Sequence, residues 1–291
     1  MKKTQVHLIS ILLSLFILFH LTANQSILQS PELLSTKHFV LVHGSCHGAW
    51  SWFKLVALIK SSGHNVTAID LAASGVEPQQ VSNLKSISDF FKPLMDFMEA
   101  LPQHETVILV GHSLGGLAVS QTMERFPNKI SVAVFVTALM PGPDLNISAL
   151  NQESFSRQGP LMDCKYTYDD GPNNPPTTFI FGPSYLKSSV YQHSPMEDWA
   201  LATMLMRPLR LFSDEDMSRE LVLTREKYGS VKRVFIISEK DLVSEKDFVF
   251  WMINKNPPHQ VEEIKGSDHM VIMSKPLEVW THLLSIAKNY T

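Results

Sequence analysis

The chain predicts an α/β fold, with a mostly parallel central sheet, helices on both faces and an inserted cap. Three observations predict it. Short apolar runs rich in β-branched residues recur, helical patterns separate them, and one long polar-rich stretch interrupts the alternation. The runs are Phe39-Val40-Leu41-Val42, Val66-Thr67-Ala68-Ile69, Val107-Ile108-Leu109-Val110, Val132-Ala133-Val134-Phe135-Val136 and Val234-Phe235-Ile236-Ile237. Strands that are apolar at nearly every position are covered on both faces, as parallel strands between helix layers are. Strands alternating with helices give such a sheet.

In chain order, Met1-Lys2-Lys3 is a short basic start, followed by an apolar run from Leu8 to Phe19 that ends at Leu21-Thr22-Ala23. The run is shorter than the roughly 20 residues a permanent membrane anchor needs, and its small residues suit a signal peptidase. Residues 1–23 are therefore expected to be a cleaved secretory signal, with a secreted or vacuolar destination and no permanent membrane anchor. Cleavage removes Lys2 and Lys3 and takes the formal net charge from −3 to −5. A polar linker is expected over residues 24–37 and one domain over 38–291. In the secretory pathway Asn24, Asn65, Asn146 and Asn289 head glycosylation sequons, Asn65 less favourably because it opens a strand expected to be buried.

Leu84, Ile87, Phe91, Leu94 and Met98 share one helical face, and Pro93 is expected to kink that helix or start a new one. Leu277, Trp280, Leu284 and Ala287 make a closing amphipathic helix opened by Pro276. Between about Pro141 and Arg225 the chain is rich in Pro, Asn, Asp, Ser and Met. A stretch this long without sheet rhythm is either disordered or a functional insertion. Phe155, Phe179, Phe181, Tyr185 and Trp199 make it too apolar for disorder, so it is read as the cap.

The composition suits one sizeable core, with 44% hydrophobic and 18% charged residues in 291. A net charge of −3 without any Lys/Arg run argues against a nucleic-acid partner. Two cysteines, Cys46 and Cys164, make no disulfide framework, and free thiols are expected.

Gly111-His112-Ser113-Leu114-Gly115 follows a strand and leads into a helix, the context that gives the G-x-S-x-G pattern its chemical meaning. The sharp turn lifts the serine hydroxyl above the sheet at a helix N-terminus, whose dipole favours developing negative charge. Partners for such a serine follow in the order acid, then histidine. His269, in Gly266-Ser267-Asp268-His269, lies in a loop after the strand-like Val261-Glu262-Glu263-Ile264. Asp241 occupies the same place one strand earlier. Ser113 is thus the candidate nucleophile, His269 the base and Asp241 the acid that orients it, with Glu239 as rival acid and Asp268 read as a turn residue. The candidate oxyanion donors are the amides of Leu114 and of Ser45 in His43-Gly44-Ser45-Cys46-His47-Gly48. Cys46 is assigned to packing, and His112 to ordering the nucleophile loop. His43 and His47 flank a loop rather than share a helix face, and His193 and His259 have no evident partner, so no metal is expected.

These segments, together with His47-Gly48-Ala49-Trp50-Ser51-Trp52, Asp70-Leu71-Ala72-Ala73-Ser74-Gly75 and Gly229-Ser230-Val231-Lys232-Arg233-Val234, resemble the plant methylesterase family from about His38 onward. That family has the α/β-hydrolase fold and includes esterases for methyl salicylate, methyl jasmonate and methyl indole-3-acetate, polyneuridine aldehyde esterase and related hydroxynitrile lyases. The resemblance puts Ser113, Asp241 and His269 on the family's triad and Ser45 and Leu114 on its oxyanion positions. It implies a carboxylesterase for small methyl esters, without a cofactor, and a possible homodimer. The lyase branch carries Thr where this chain has Gly44 and Lys where it has Met270, which favours ester hydrolysis. Leu242-Val243-Ser244, Leu139 and Asp163-Cys164-Lys165 depart from the esterase pattern, so the preferred acid group is left open. The other readings are a hydroxynitrile lyase and a hormone-binding protein with little turnover.

Overall fold

The computed structural model describes residues 36–290. The expected leader over 1–23 and most of the expected linker lie outside the described residues. The main sheet is built from β1 (His38–Val42), β2 (Asn65–Ile69), β3 (Val107–His112) and β4 (Ile130–Val136), then, after a long excursion, β8 (Arg233–Ser238) and β9 (Gln260–Ile264). All neighbours are parallel, in the order β2-β1-β3-β4-β8-β9. Each predicted apolar run is one of these strands.

Side chains alternate across the sheet with period two, and the two sets feed two cores. Val40, Val42, Leu109, Ala133, Phe135 and Phe235 face one layer, which holds α2 (Ile87–Ala100) and α3 (Gly115–Arg125). Phe39, Leu41, Ile108, Val110, Val134 and Ile236 face the other, with α1 (Phe53–Ser61) and the C-terminal helix Pro276–Tyr290. The first turn of α2 closes a capping box, in which Ser86 Oγ accepts from Asp89 N at 3.0 Å and the Asp89 carboxylate accepts from Ser86 N at 3.1 Å. Of the two outcomes expected at Pro93, the fresh start does not occur: α2 is one helix from Ile87 to Ala100 with Pro93 inside it. Proline removes one helical hydrogen bond, whereas Phe90 and Phe91 before it and Leu94 and Met98 after it are buried and hold both halves to the sheet. Each such side chain contributes about 1.5–3 kcal/mol.

The excursion between β4 and β8 holds α4 (Ile147–Ser156), a three-stranded antiparallel sheet, α5 (Met196–Leu205) and α6 (Asp214–Glu220). The small sheet is β5 (Lys165–Thr167), β6 (Thr178–Ile180) and β7 (Leu209–Arg210), with β6 central. Polar ties fasten this insertion to the sheet edge. Lys54 Nζ meets the buried Asp198 carboxylate at 2.5 Å, and the Arg207 guanidinium donates to the carbonyls of Gly75, Glu77 and Gln79. Asn65 is exposed at the head of β2, contrary to the burial expected there, because its strand lies at the sheet edge. Asn146 is exposed too, but its side chain caps α4 by accepting from Ala149 N.

Candidate active site

Strand register determines what meets at the C-terminal edge of the sheet, where α/β sheets place ligands. Val42 pairs with Gly111, His112 with Val136, and Ser238 with Ile264. The residues just beyond these pairs are His43 and Gly44, Ser113, Thr137, Asp241 and His269. A depression of about 360 Å³ lined by His38, Lys60, His64 and Glu105 lies at the opposite, N-terminal edge and holds none of the candidate residues.

Ser113 has φ 53°, the left-handed region that a sharp strand-to-helix turn imposes on a non-glycine residue. The glycines around it are close-approach positions. A Cβ on Gly44 would stand 2.7 Å from Ser113 Cβ, and one on Gly115 would stand 2.5 Å from the His43 carbonyl oxygen. The loop that starts at His43 and Gly44 therefore lies against the serine. His269 Nε2 is 3.0 Å from Ser113 Oγ, and His269 Nδ1 is 2.7 Å from Asp241 Oδ2. A carboxylate only accepts, so Nδ1 carries the proton, and the bare Nε2 accepts from the serine hydroxyl. His269 and Asp241 are buried at 3% and 5% exposure, while Ser113 is partly exposed. Substrate can reach the oxygen, and bulk water cannot compete for the imidazole.

Asp241 is held on all sides. Its Oδ1 accepts from Val243 N at 2.8 Å and Ser244 N at 2.9 Å, and its Oδ2 also accepts from Thr137 Oγ1. Sequence reasoning missed Thr137, although its place one residue beyond β4, between β3 and β8, was a usable signal. Glu239, the rival acid, turns to the surface, where its carboxylate accepts from Gly266 N at 2.8 Å and meets Lys265 at 3.2 Å. Asp268 is not a simple turn residue. It is fully buried and accepts from His193 N, Ser194 Oγ and Ser274 Oγ at 2.7–2.9 Å, which ties the insertion to the loop carrying His269. His112 Nε2 donates to the His269 carbonyl at 2.8 Å, so the residue before the serine also holds the base.

Leu114 stands at the head of α3, and its N–H and that of Ser45 donate to no other group among the described residues. Cys46 follows with φ 61° and a buried thiol that contacts the Phe179 carbonyl. Burial pushes that thiol up to about 12, so it stays protonated and is no nucleophile. Both cysteines are free. An aromatic row from the insertion faces this loop. Phe181 packs edge-on to Phe179 at 4.9 Å, stacks on Tyr185 at 5.7 Å and approaches His47 at 6.5 Å. Tyr185 is 6% exposed, and its hydroxyl has no hydrogen-bond partner among the described residues. Burial, with a contribution from the nearby Asp241, pushes it up to about 12, which keeps it a neutral donor. Met270 beside the base is wholly buried in the apolar layer and brings no cation there.

Residues 39–281 match the alpha/beta hydrolase family. The chain is 54% identical over 256 residues to methyl jasmonate esterase 1 of Vitis vinifera, covering 88% of this chain and 98% of that protein. It is 48% identical to methylesterase 10 of Arabidopsis thaliana, covering 87% and 92%, and 40% identical to an alpha-hydroxynitrile lyase of the same plant, covering 87% and 98%. Among solved structures, tomato methylketone synthase I complexed with 2-tridecanone superposes with a TM-score of 0.85 at 54% identity, covering 88% of this chain and 99% of that one. A histidine-to-alanine variant of the same tomato protein has been solved with beta-ketoheptanoate.

Proposed function

This chain belongs to the alpha/beta hydrolase family and, within it, to the plant methylesterases, which are carboxylic ester hydrolases, and we propose that it cleaves the methyl ester of an apolar oxo acid of the jasmonate type. The observation that carries the mechanism is the single imidazole bridging Ser113 Oγ and the Asp241 carboxylate. Ser113 attacks the ester carbonyl carbon while His269 Nε2 takes the hydroxyl proton, and Asp241 stabilises the imidazolium. The carbonyl oxygen, now negative, lies against the Ser45 and Leu114 amides. Methanol departs with the proton from His269 and leaves an acyl-serine. Water, deprotonated by the same ring, adds to that ester, and the free acid is released. No cofactor enters these steps.

The insertion acts as the cap and supplies the acid-binding wall. Its aromatic row suits an extended apolar acyl group, and the unpaired Tyr185 hydroxyl offers one donor to an oxygen on that group. The tomato relative's complex with 2-tridecanone, a long-chain ketone, supports an elongated oxo-bearing ligand over a compact aromatic acid. The test is kcat/KM for methyl esters of jasmonic, salicylic and indole-3-acetic acids with wild type and Ser113→Ala. The jasmonate ester should lead, and the variant should lose up to about 10⁶-fold in kcat. Near-wild-type turnover without the serine hydroxyl would reject the mechanism, and a leading salicylate ester would reject the substrate class.

One observation favours a second reading. The 54% identity to a protein solved with beta-ketoheptanoate points to decarboxylation of a β-keto acid in the same pocket. The bond between the α-carbon and the carboxylate would break to release carbon dioxide, its electron pair would remain as an enolate, and a proton taken up at the α-carbon would give the methyl ketone, with no role for Ser113 as nucleophile. Carbon dioxide release from beta-ketoheptanoate that survives Ser113→Ala would establish it.

A further inference from the structure

The oxyanion loop presents two successive peptide carbonyls, and each is held by a histidine ring. His43 Nδ1 lies 2.8 Å from the Gly44 carbonyl oxygen, and His47 Nδ1 lies 2.7 Å from that of Ser45. A carbonyl oxygen only accepts, so both rings carry their proton on Nδ1. Burial lowers the pKa of both, His47 to about 4, so both are neutral near pH 7 and each Nε2 is a bare acceptor. His43 Nε2 accepts from Leu71 N at 3.1 Å, a bond made inside the sheet domain. His47 Nε2 accepts from the Tyr191 hydroxyl at 2.6 Å, across 144 residues of sequence and from within the insertion. Tyr191 and His47 are 3% and 4% exposed, with rings stacked at 5.9 Å.

In a trans peptide the carbonyl and the following N–H point in opposite directions. Holding the Gly44 carbonyl therefore aims the Ser45 N–H, and holding the Ser45 carbonyl fixes the next peptide plane. Between the two, Ser45 is pinned on both sides. The second bond also bears on Cys46, whose φ of 61° is disfavoured for a residue with a Cβ. A loop strained in this way relaxes when its restraint is lost, carrying the amide with it. The segment holding Tyr191 grips the other side of the site as well. The Val190 carbonyl accepts from Met270 N at 3.2 Å, and His193 N and Ser194 Oγ reach Asp268 at 2.9 and 2.8 Å.

We propose that Tyr191 is a positioning residue through which the insertion sets the oxyanion geometry. Its hydroxyl fixes the His47 tautomer, and His47 fixes the Ser45 carbonyl and with it the Ser45–Cys46 peptide; this second anchor keeps the Ser45 amide, aimed through the Gly44 carbonyl, from turning away from the developing negative oxygen. The inference rests on the reading of Ser45 N–H as an oxyanion donor. Removing the Tyr191 hydroxyl frees His47 to rotate or change tautomer, and its bare nitrogen then repels the carbonyl it should hold.

The experiment uses the full chain, p-nitrophenyl acetate and a methyl ester, with two ligands of the same carbon chain. A trifluoromethyl ketone adds to Ser113 and places an oxyanion at the amides, whereas the analogue with CH2 in place of the ketone carbonyl has no oxygen there. Tyr191→Phe should lower kcat about 10- to 100-fold with KM within about twofold. The trifluoromethyl ketone should weaken by a similar factor while the CH2 analogue binds as before. His47→Asn keeps an amide donor at the Nδ1 position but cannot reach Tyr191. It should lose less than His47→Leu, and adding Tyr191→Phe to it should change nothing further. Unchanged kcat in Tyr191→Phe, equal weakening of both ligands, or losses that multiply in the double variant would each overturn the proposal. Should Tyr191→Phe not fold, equal losses in His47→Asn and His47→Leu decide against it. Failure of the underlying esterase reading is distinct, because wild type would then hydrolyse neither ester.

Discussion

Acid should destabilise this protein through its buried imidazoles, and His47 sets the scale. The ring is 4% exposed, and burial lowers its pKa from the ordinary 6.5 to about 4. Between those values the unfolded chain binds a proton that the folded chain excludes, so stability falls as the pH falls through that window. Above pH 6.5 the ring is neutral in both states and contributes nothing to the slope. Each pH unit inside the window is worth about 1.4 kcal/mol, so by pH 4.5 His47 alone removes about 2.5 kcal/mol. That is a large share of a typical stability of roughly 5–15 kcal/mol. His43 and His112 are lowered by burial too and act with the same sign. The assay is urea unfolding of wild type and His47→Asn at several values between pH 7.5 and 4.5. The variant should be less stable at pH 7.5, since it loses the Tyr191 bond, yet lose about 2.5 kcal/mol less on acidification. Parallel stability curves for the two proteins would show that His47 is not a buried neutral group, and the tautomer argument for the oxyanion loop would go with it.

The other predictions concern the acid and the acyl wall. Asp241→Asn should lower kcat about 10⁴-fold, whereas Glu239→Gln should stay within about twofold, because Glu239 bonds to Gly266 N and Lys265 at the surface. Kinetics on one methyl ester suffice, and a reversed ranking would move the acid assignment to Glu239. Tyr185→Phe should lower kcat/KM about five- to tenfold for an ester carrying a ring ketone and leave its deoxo analogue unchanged, since one hydrogen bond is at stake. Equal losses on both esters would make Tyr185 a packing residue only.

What could be read from the sequence, and what could not, divides by the range of the interaction. β-Branched runs specify strands locally, and strand order with parallel register brings the residues after β3, β8 and β9 to one edge. Position alone therefore singled out Ser113 and His269 and narrowed the acid to Asp241 with Glu239 as rival, and Ser113, His269 and Asp241 stand within hydrogen-bond distance in the folded chain. The insertion was recognisable only as a break in rhythm. Its strands are two or three residues long and carry no period, and β7 exists because Leu209 and Arg210 find a partner in β6. Pro93 could not be resolved between a kink and a fresh start because the local cost of proline is visible in the sequence, whereas the packing of the apolar face that keeps α2 one helix is not. Asp268 misleads because a carboxylate beside a histidine looks like a turn residue until its three partners, two of them in the insertion, are visible.

The same division governs how the site can change. The three residues proposed as nucleophile, acid and base are held by the sheet, through Ser113 on the turn after β3, Asp241 against Thr137, and His269 by His112. The proposed acyl wall comes from the insertion, and so does half of the restraint on the proposed oxyanion loop, through Tyr191. Substitutions that reshape the wall near Phe181 and Tyr185 can alter substrate preference while the triad stays in place, because those side chains make no hydrogen bond to it. Substitutions that shift residues 190–194 cannot do so independently, since that segment bonds both to His47 and to the loop bearing His269. Changes in the aromatic row should therefore act on substrate selectivity with kcat for the best ester largely preserved. Changes in the 190–194 segment should lower kcat for every ester alike. A kinetic survey of substitutions in the two segments that failed to separate in this way would mean the insertion moves as one body, and the division between wall and brace would not hold.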